Sequence, residues 1–313
     1  MSKKRITVIG FIAVVVFYSI LISMSDFEEF VKQLDLLKFE LIPLILVLHF
    51  FVIVLRIFRQ KILFDSIEIQ LSFKEHFWIH LSGLALIMTP GGLGQSIKAL
   101  YLKEKNNVKY GKTISLTLSE RFYDLLSVIP VIIIVSIFVD SFEARLSSIL
   151  LSILLIAVLI IVRNQKIFNF IISKLPKIWI LGSIVKNSDD LFNTVKQLTC
   201  KKTFILCFIL GITSWIVAGI AFYYSFVAFN LDLTFFETTL ITLVPIVIGT
   251  ISFLPGGIVA TEMTMLGFLS NYGIDNSLSS TIILFTRITS IWFLTIIGII
   301  ATKVVLKKTN IKK

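Results

Sequence analysis

Apolar residues fall along this chain in long runs separated by short charged stretches. That is the pattern of helices that cross a bilayer, not of helices with one wet face. About 20 apolar residues span the hydrocarbon core as one helix. Six runs reach that length, roughly 6–24, 41–58, 113–139, 146–163, 203–229 and 279–303. Two more apolar stretches, 76–100 and 238–270, are interrupted in the middle by Pro-Gly-Gly. Between 164 and 202, Ile167, Phe168, Phe170 and Ile171, then Ile178, Trp179 and Ile180, stand among basic residues. This predicts amphipathic helices lying on the membrane surface.

Composition agrees with that reading. Of 313 residues, 56% are hydrophobic and only 16% charged, against roughly 25% charged in ordinary globular chains. Mean hydropathy is +0.94, too apolar for a water-facing surface. The net charge of +11 is assigned to loops beside anionic lipid, and nucleic acid is not an expected partner. Cys200 and Cys207 have neither metal-ligand spacing nor a disulfide framework. Lys3, Lys4 and Arg5 precede the first run, but Ser25-Asp26-Phe27-Glu28 follows it with no small-residue cleavage site, so a retained span is expected.

Loop charges set the orientation. The basic N-terminus is expected inside. Loop 25–40, with Asp26, Glu28, Glu29, Asp35 and Glu40 against Lys32 and Lys38, is expected outside. Arg56, Arg59 and Lys61 end the second span inside and read as orientation anchors; 98–112 is also basic. Stretch 76–97 therefore starts and returns inside. Span 113–139 exits at Asp140 and Glu143, 146–163 returns to the basic stretch 164–202, and 203–229 exits at Asp232 and Glu237. The last span ends on Lys303, Lys307, Lys308, Lys312 and Lys313, so both termini are cytoplasmic and 238–270 starts and returns outside.

Both Pro-Gly-Gly stretches are thus expected as re-entrant hairpins that enter from opposite faces. Pro lacks an N–H and Gly tolerates the sharp turn. Such a tip is tolerated at membrane depth only where protein or a wet cavity surrounds it. The two stretches also resemble each other. Pro90-Gly91-Gly92-Leu93-Gly94 precedes Glu120-Arg121, Pro255-Gly256-Gly257-Ile258 precedes Arg287, and the Pro-to-Arg intervals are 31 and 32 residues. This predicts one membrane domain, 1–313, built of inverted repeats 1–140 and 141–313. Inverted repeats with paired broken helices are a transporter design.

Charges within spans are costly, so they are paired or functional. Glu120, Arg121 and Asp124 share one helix flank, being i,i+3 and i,i+4 neighbours. Arg287 lies early in the last span, and Glu262, seven residues after Pro255, is its candidate partner. Two readings stay open: an ion pair that only locks hairpin to helix, or arginines 121 and 287 lining a cavity for an anionic head group, with Glu262 and Glu120 balancing the charge. Arginine suits phosphate because its planar fork donates two parallel hydrogen bonds. Lys98, after the first Gly-Gly turn, reads as a snorkelling residue or a head-group contact. His49 reads as a helix-packing residue. His76 and His80 are i,i+4 neighbours without an acidic or Cys partner nearby, so packing rather than metal binding is expected. No Gly-x-Ser-x-Gly, Walker loop or dinucleotide fingerprint occurs. Neither enzymatic activity nor a cofactor or metal is expected.

The residues Pro90-Gly91-Gly92-Leu93-Gly94 with Glu120-Arg121, and Pro255-Gly256-Gly257-Ile258 with Glu262 and Arg287, resemble the lysylphosphatidylglycerol synthase transmembrane-region family, whose members are also called flippase-like or UPF0104 membrane proteins. The resemblance covers about residues 5–305. It implies a lipid flippase-like membrane domain; in bifunctional relatives this moves an aminoacylated phosphatidylglycerol made by a separate soluble domain, which is not expected in a chain ending at Lys313. Gln95 and Lys98 stand where the family commonly carries an acidic residue and an arginine. The expected function is alternating-access translocation of an anionic phospholipid or lipid-linked precursor in the cell membrane. Pro90, Gly91, Gly92, Gly94, Pro255, Gly256 and Gly257 would act as gates, and Arg121, Arg287, Glu262, Glu120, Asp124 and Lys98 as head-group residues. Expected partners are membrane lipids and a lipid-modifying or sugar-transfer enzyme. The alternative is an accessory protein or enzyme of glycolipid or cell-envelope assembly, for which Asp189-Asp190 is the adjacent acidic pair in the basic loop.

Overall fold

The computed structural model describes residues 32–89, 95, 98, 102–103, 108, 110–174 and 188–309. The span expected at 6–24, the tip residues Pro90, Gly91, Gly92 and Gly94, and Ile178-Trp179-Ile180 lie outside them. All regular structure among the described residues is helical. In chain order, the helices are α1 (Ile42–Ser66), α2 (Phe73–Leu84), α3 (Tyr110–Ile137), α4 (Phe142–Arg163), α5 (Gln165–Lys174), α6 (Ser188–Leu198), α7 (Lys201–Val227), α8 (Phe235–Ile251), α9 (Ala260–Asn271), α10 (Asn276–Arg287) and α11 (Phe293–Thr309). A π-helical turn, Ile288–Trp292, joins α10 to α11.

Local chemistry explains where helices begin. Ser72 accepts from the Glu75 N–H while Glu75 accepts from the Ser72 N–H, a reciprocal cap that starts α2. Thr234 and Glu237 do the same for α8, and Asp275 caps α10. Glu237, expected as an outer-loop charge, is thus also a capping residue.

Among the described residues, four helices are long and apolar enough to cross a membrane: Phe39–Ser66, Phe142–Ile161, Lys201–Val227 and Asn276–Val305. Four of the expected runs fall on them. The run at 113–139 lies on α3, which has 28 residues but carries charges through its first half. Helix α4 shows most plainly what surrounds the protein. Leu146, Ile149, Leu150, Ile153, Ile156 and Ile160 are all exposed and share one face. In water such a stripe would be strongly unfavourable; in lipid it is the expected surface.

The described residues form two compact units, each built from separated segments. The first takes the described residues of 1–50, 88–92 and 217–293. Here α8 turns back through Pro255–Gly257 into α9, which packs along it. The turn needs left-handed backbone at Gly256 (φ 64°) and Gly257 (φ 67°). At Gly249 any side chain would collide with Thr261 Oγ1 and the Gly257 backbone, so glycine lets the two arms meet near the tip. Elsewhere in this unit, Lys38 N–H donates to the Ala228 carbonyl (2.9 Å), and the Phe229 and Phe285 rings meet edge to face.

The second unit takes the described residues of 51–87, 93–216 and 294–313. Its core gathers Leu63, Phe64, Leu102, Leu116, Tyr123 and Leu198, all fully buried. A smaller cluster joins Ile53, Ile57, Leu81, Leu84 and Ala301. Helix α5 covers the first amphipathic stretch expected within 164–202, α6 lies beyond the second, and Phe168 of α5 meets Phe192 of α6 edge to face.

Candidate functional site

A cluster of charged and polar side chains lies inside the second unit. Helix α1 brings Arg56, Arg59 and Gln60; α3 brings Glu120, Arg121 and Asp124; α2 brings His80. Asp124 is bridged by two guanidinium groups, Arg59 Nη2 to Oδ1 at 2.5 Å and Arg121 Nη1 to Oδ2 at 3.1 Å. Arg121 Nη2 also donates to Gln95 Oε1 at 3.1 Å. Trp215 of α7 donates to the Asp124 carbonyl (3.0 Å), and the Arg56 guanidinium lies 5.0 Å from its ring centre, a cation–π contact.

Lys98 is fully buried, so it neither snorkels nor reaches an interface. Its Nζ donates to Glu120 Oε2 (2.9 Å) and to Gln60 Oε1 (3.0 Å). Gln60 Nε2 donates to the His76 carbonyl at 3.3 Å, which fixes Oε1 as the acceptor. His80 Nδ1 lies 2.9 Å from that same Oε1 and must therefore carry a proton, leaving Nε2 as the acceptor in the neutral ring.

The charge balance is uneven. Arg56, Arg59, Lys98 and Arg121 give four positive charges, and Glu120 and Asp124 give two negative ones. Several donors are left over. Arg59 Nε and Nη1, Arg56 Nε, Arg121 Nε and Gln95 Nε2 are buried with no hydrogen-bond partner among the described residues. Buried guanidinium N–H groups without acceptors cost several kcal/mol between them, at about 1–3 kcal/mol or more per group. The leftover donors are chemically suited to an anion with several acceptor oxygens.

In the first unit, Arg287 donates through Nε to Glu262 Oε1 (2.8 Å) and through Nη2 to the carbonyl of Gly256 (2.7 Å). The arginine thus ties α10 to the first turn of α9 and to the glycine tip at once. The glutamate is fully buried and the arginine side chain 8% exposed. This is a single charge-balanced pair, unlike the cationic cluster of the second unit.

The sequence placed Glu120, Arg121 and Asp124 on one flank and paired Arg287 with Glu262, and those relationships hold. It read Arg56 and Arg59 as anchors at the membrane edge, and that is corrected: Arg59 is 2% exposed and spent on Asp124. A signal existed, because Arg59 continues the buried stripe of Val52 and Leu63 at helical spacing. His76 and His80 are both buried, and the described residues hold no group of three or more potential metal ligands.

Comparison with known proteins agrees with this architecture. The family model for the lysylphosphatidylglycerol synthase transmembrane region matches residues 6–298. An UPF0104 membrane protein of Methanocaldococcus jannaschii is 22% identical over 334 aligned residues, covering 100% of this chain and 99% of its own. One from Methanothermobacter thermautotrophicus is 24% identical over 225 residues, 66% of each chain. One from Pyrococcus horikoshii is 22% identical over 240 residues, 67% of this chain and 70% of its own. The chain is a helical membrane protein that belongs to the lysylphosphatidylglycerol synthase transmembrane-region family.

Proposed function

We propose that this protein moves an anionic phospholipid or lipid-linked precursor between leaflets, as a transporter and not as an enzyme. One observation carries the reading: the unsatisfied guanidinium donors of Arg56, Arg59 and Arg121 inside a helical membrane protein. A lipid phosphate offers the charge and the acceptor oxygens that the cluster lacks. The Arg287–Glu262 pair balances its own charges, whereas the cluster holds more cations than carboxylates.

In this reading, six spans and two re-entrant hairpins form inverted repeats, 1–140 and 141–313, in the cell membrane with both termini cytoplasmic. The Pro-Gly-Gly tips serve as thin gates, and glycine backbone supplies the hinge freedom. Glu120 holds Lys98, which holds Gln60, and so they position the cluster. Arg287 secures the second tip through the Gly256 carbonyl, and a passing head group competes for that guanidinium.

The test is leaflet-specific labelling of lipids in vesicles reconstituted with the protein, run with several anionic lipids and with one zwitterionic lipid. The expected result is faster transbilayer movement of an anionic lipid only when protein is present. An unchanged rate with every lipid sinks the proposal.

A further inference from the structure

A second polar feature of the second unit is unconnected with the buried cluster. At the basic end of α4, a cleft of about 570 Å³ opens beside the amphipathic helices α5 and α6. Its polar rim is Arg163, Lys196 and Lys201, from three different helices, with no acidic residue among its described lining residues. Its floor is aromatic: Phe122 of α3, Phe192 of α6 and Phe204 of α7. Phe192 is buried against Phe168, so the floor is a packed surface.

The cleft is continued along α4. An adjoining groove of about 420 Å³ shares Leu159 and Arg163 with it and is otherwise lined by Ile156, Ile160 and Asn164. Ile156 and Ile160 belong to the exposed stripe of α4 that faces lipid. A cationic rim over an aromatic floor, leading into an apolar groove, therefore runs from the end of a span onto its lipid-facing side. A soluble phosphate compound uses the rim and leaves the groove empty. A neutral lipid uses the groove and leaves three cations uncompensated. A lipid with a negatively charged head group uses both.

We infer that this is a binding site for one anionic glycerophospholipid of the surrounding leaflet, with its phosphate among Arg163, Lys196 and Lys201 and an acyl chain along Leu159, Ile156 and Ile160. The lipid bridges α4 to the amphipathic pair. The site goes beyond the transport proposal and stands whether or not the protein moves lipid. Basic residues near an anionic membrane surface each add to the attraction for negative head groups. Three of them give a preference for anionic over zwitterionic lipid of at least about tenfold after screening.

The experiment is native mass spectrometry of the delipidated full chain in detergent, titrated with phosphatidylglycerol or with phosphatidylcholine. The inferred site retains phosphatidylglycerol at least about tenfold better; equal retention of the two overturns it. Inorganic phosphate in millimolar excess leaves the lipid bound, and displacement by phosphate would mean an anion site with no lipid component. The buried cluster is a competing source of lipid retention, so two variants separate them. Arg163→Gln/Lys196→Gln/Lys201→Gln loses one selectively retained phosphatidylglycerol per chain and Arg121→Gln keeps that lipid; the opposite result assigns it to the buried cluster and overturns the inference. Leu159→Asp weakens phosphatidylglycerol retention with all three cations in place. Unchanged retention in that variant would also overturn the acyl-chain contact.

Discussion

Arg287 and Glu262 form a buried ion pair, Nε to Oε1 at 2.8 Å, between residues 25 apart in sequence, and the same arginine holds the carbonyl of Gly256. The pair therefore decides how the glycine tip is held. Removing one partner strands a charge in a low-dielectric interior, which costs about 3–5 kcal/mol, whereas apolar replacement of both is far milder. Arg287→Leu and Glu262→Leu each should lower the thermal unfolding midpoint in detergent, and the double variant should recover most of the loss. Additive losses in the double variant would show that the two side chains do not act as a pair.

The cationic cluster should behave differently. Arg121→Gln keeps a hydrogen-bonding side chain beside Gln95 and leaves Asp124 paired with Arg59. A charge-assisted hydrogen bond contributes about 1.5–3 kcal/mol, so the transbilayer rate of the anionic lipid should fall about tenfold or more at unchanged protein abundance. Arg287→Ala should reduce transport more than abundance if the tip gates passage. Equal loss of both in Arg287→Ala would assign the Arg287 pair a purely structural role.

The two cysteines should separate cleanly by chemistry. Cys207 is fully buried on α7, and Cys200 is exposed just before that helix. The Thr203 hydroxyl, which lies 3.2 Å from Cys200 Sγ, holds the thiol below its ordinary range by favouring the thiolate, and backbone N–H groups add to this. Alkylation of Cys200 should therefore reach half its maximal rate at a lower pH than an unperturbed cysteine, near about 8.5. Thr203→Val should move that midpoint upward. Modification of Cys207 in the folded protein at a similar rate would contradict its burial.

Val259 sits at φ 72° and ψ −57°, between the glycine tip and α9. That is the rare, strained γ-turn geometry, and a β-branched side chain makes it worse. Sparsely populated backbone of this kind costs about 1–3 kcal/mol. Val259→Gly should stabilise the protein by roughly 1 kcal/mol after the entropy that glycine loses. If the strain serves gating, the same variant should also slow lipid movement. A destabilised Val259→Gly variant would show that the residue's packing outweighs its strain.

Helix α11 crosses the end of α2 at Gly298. A side chain there would meet the backbone of Leu84 and Ala85, while Thr302, one turn on, donates to the Ser82 carbonyl at 3.3 Å. Close backbone approach at a small residue is a common way for membrane helices to pack. Gly298→Val should lower the unfolding midpoint sharply because neither backbone can yield. Gly267→Val, at a position with open space around it, should cost only what a β-branched residue costs in helix propensity. Similar losses at both positions would remove the close crossing from the account.

The sequence by itself determined what depends on neighbours along the chain. Run length and the charges between runs mark spans, because a helix must cross about 30 Å of hydrocarbon with its backbone satisfied. Pro255-Gly256-Gly257 marks a break because Pro lacks a donor and Gly accepts positive φ. Glu262 was legible as the partner of Arg287 because few countercharges lie nearby in an apolar stretch. Only the tertiary structure decided which distant helices supply the rest. Arg59 meets Asp124 across 65 residues of sequence, and Lys98 turns inward to Glu120 and Gln60. Loop charge counts place an arginine at a helix end but carry no information on the direction its side chain takes. That direction is set by where a buried counter-ion waits on another helix, because an unpaired charge in the interior costs far more than one at the surface. The leftover guanidinium donors beside Asp124 emerge only once that pairing is complete.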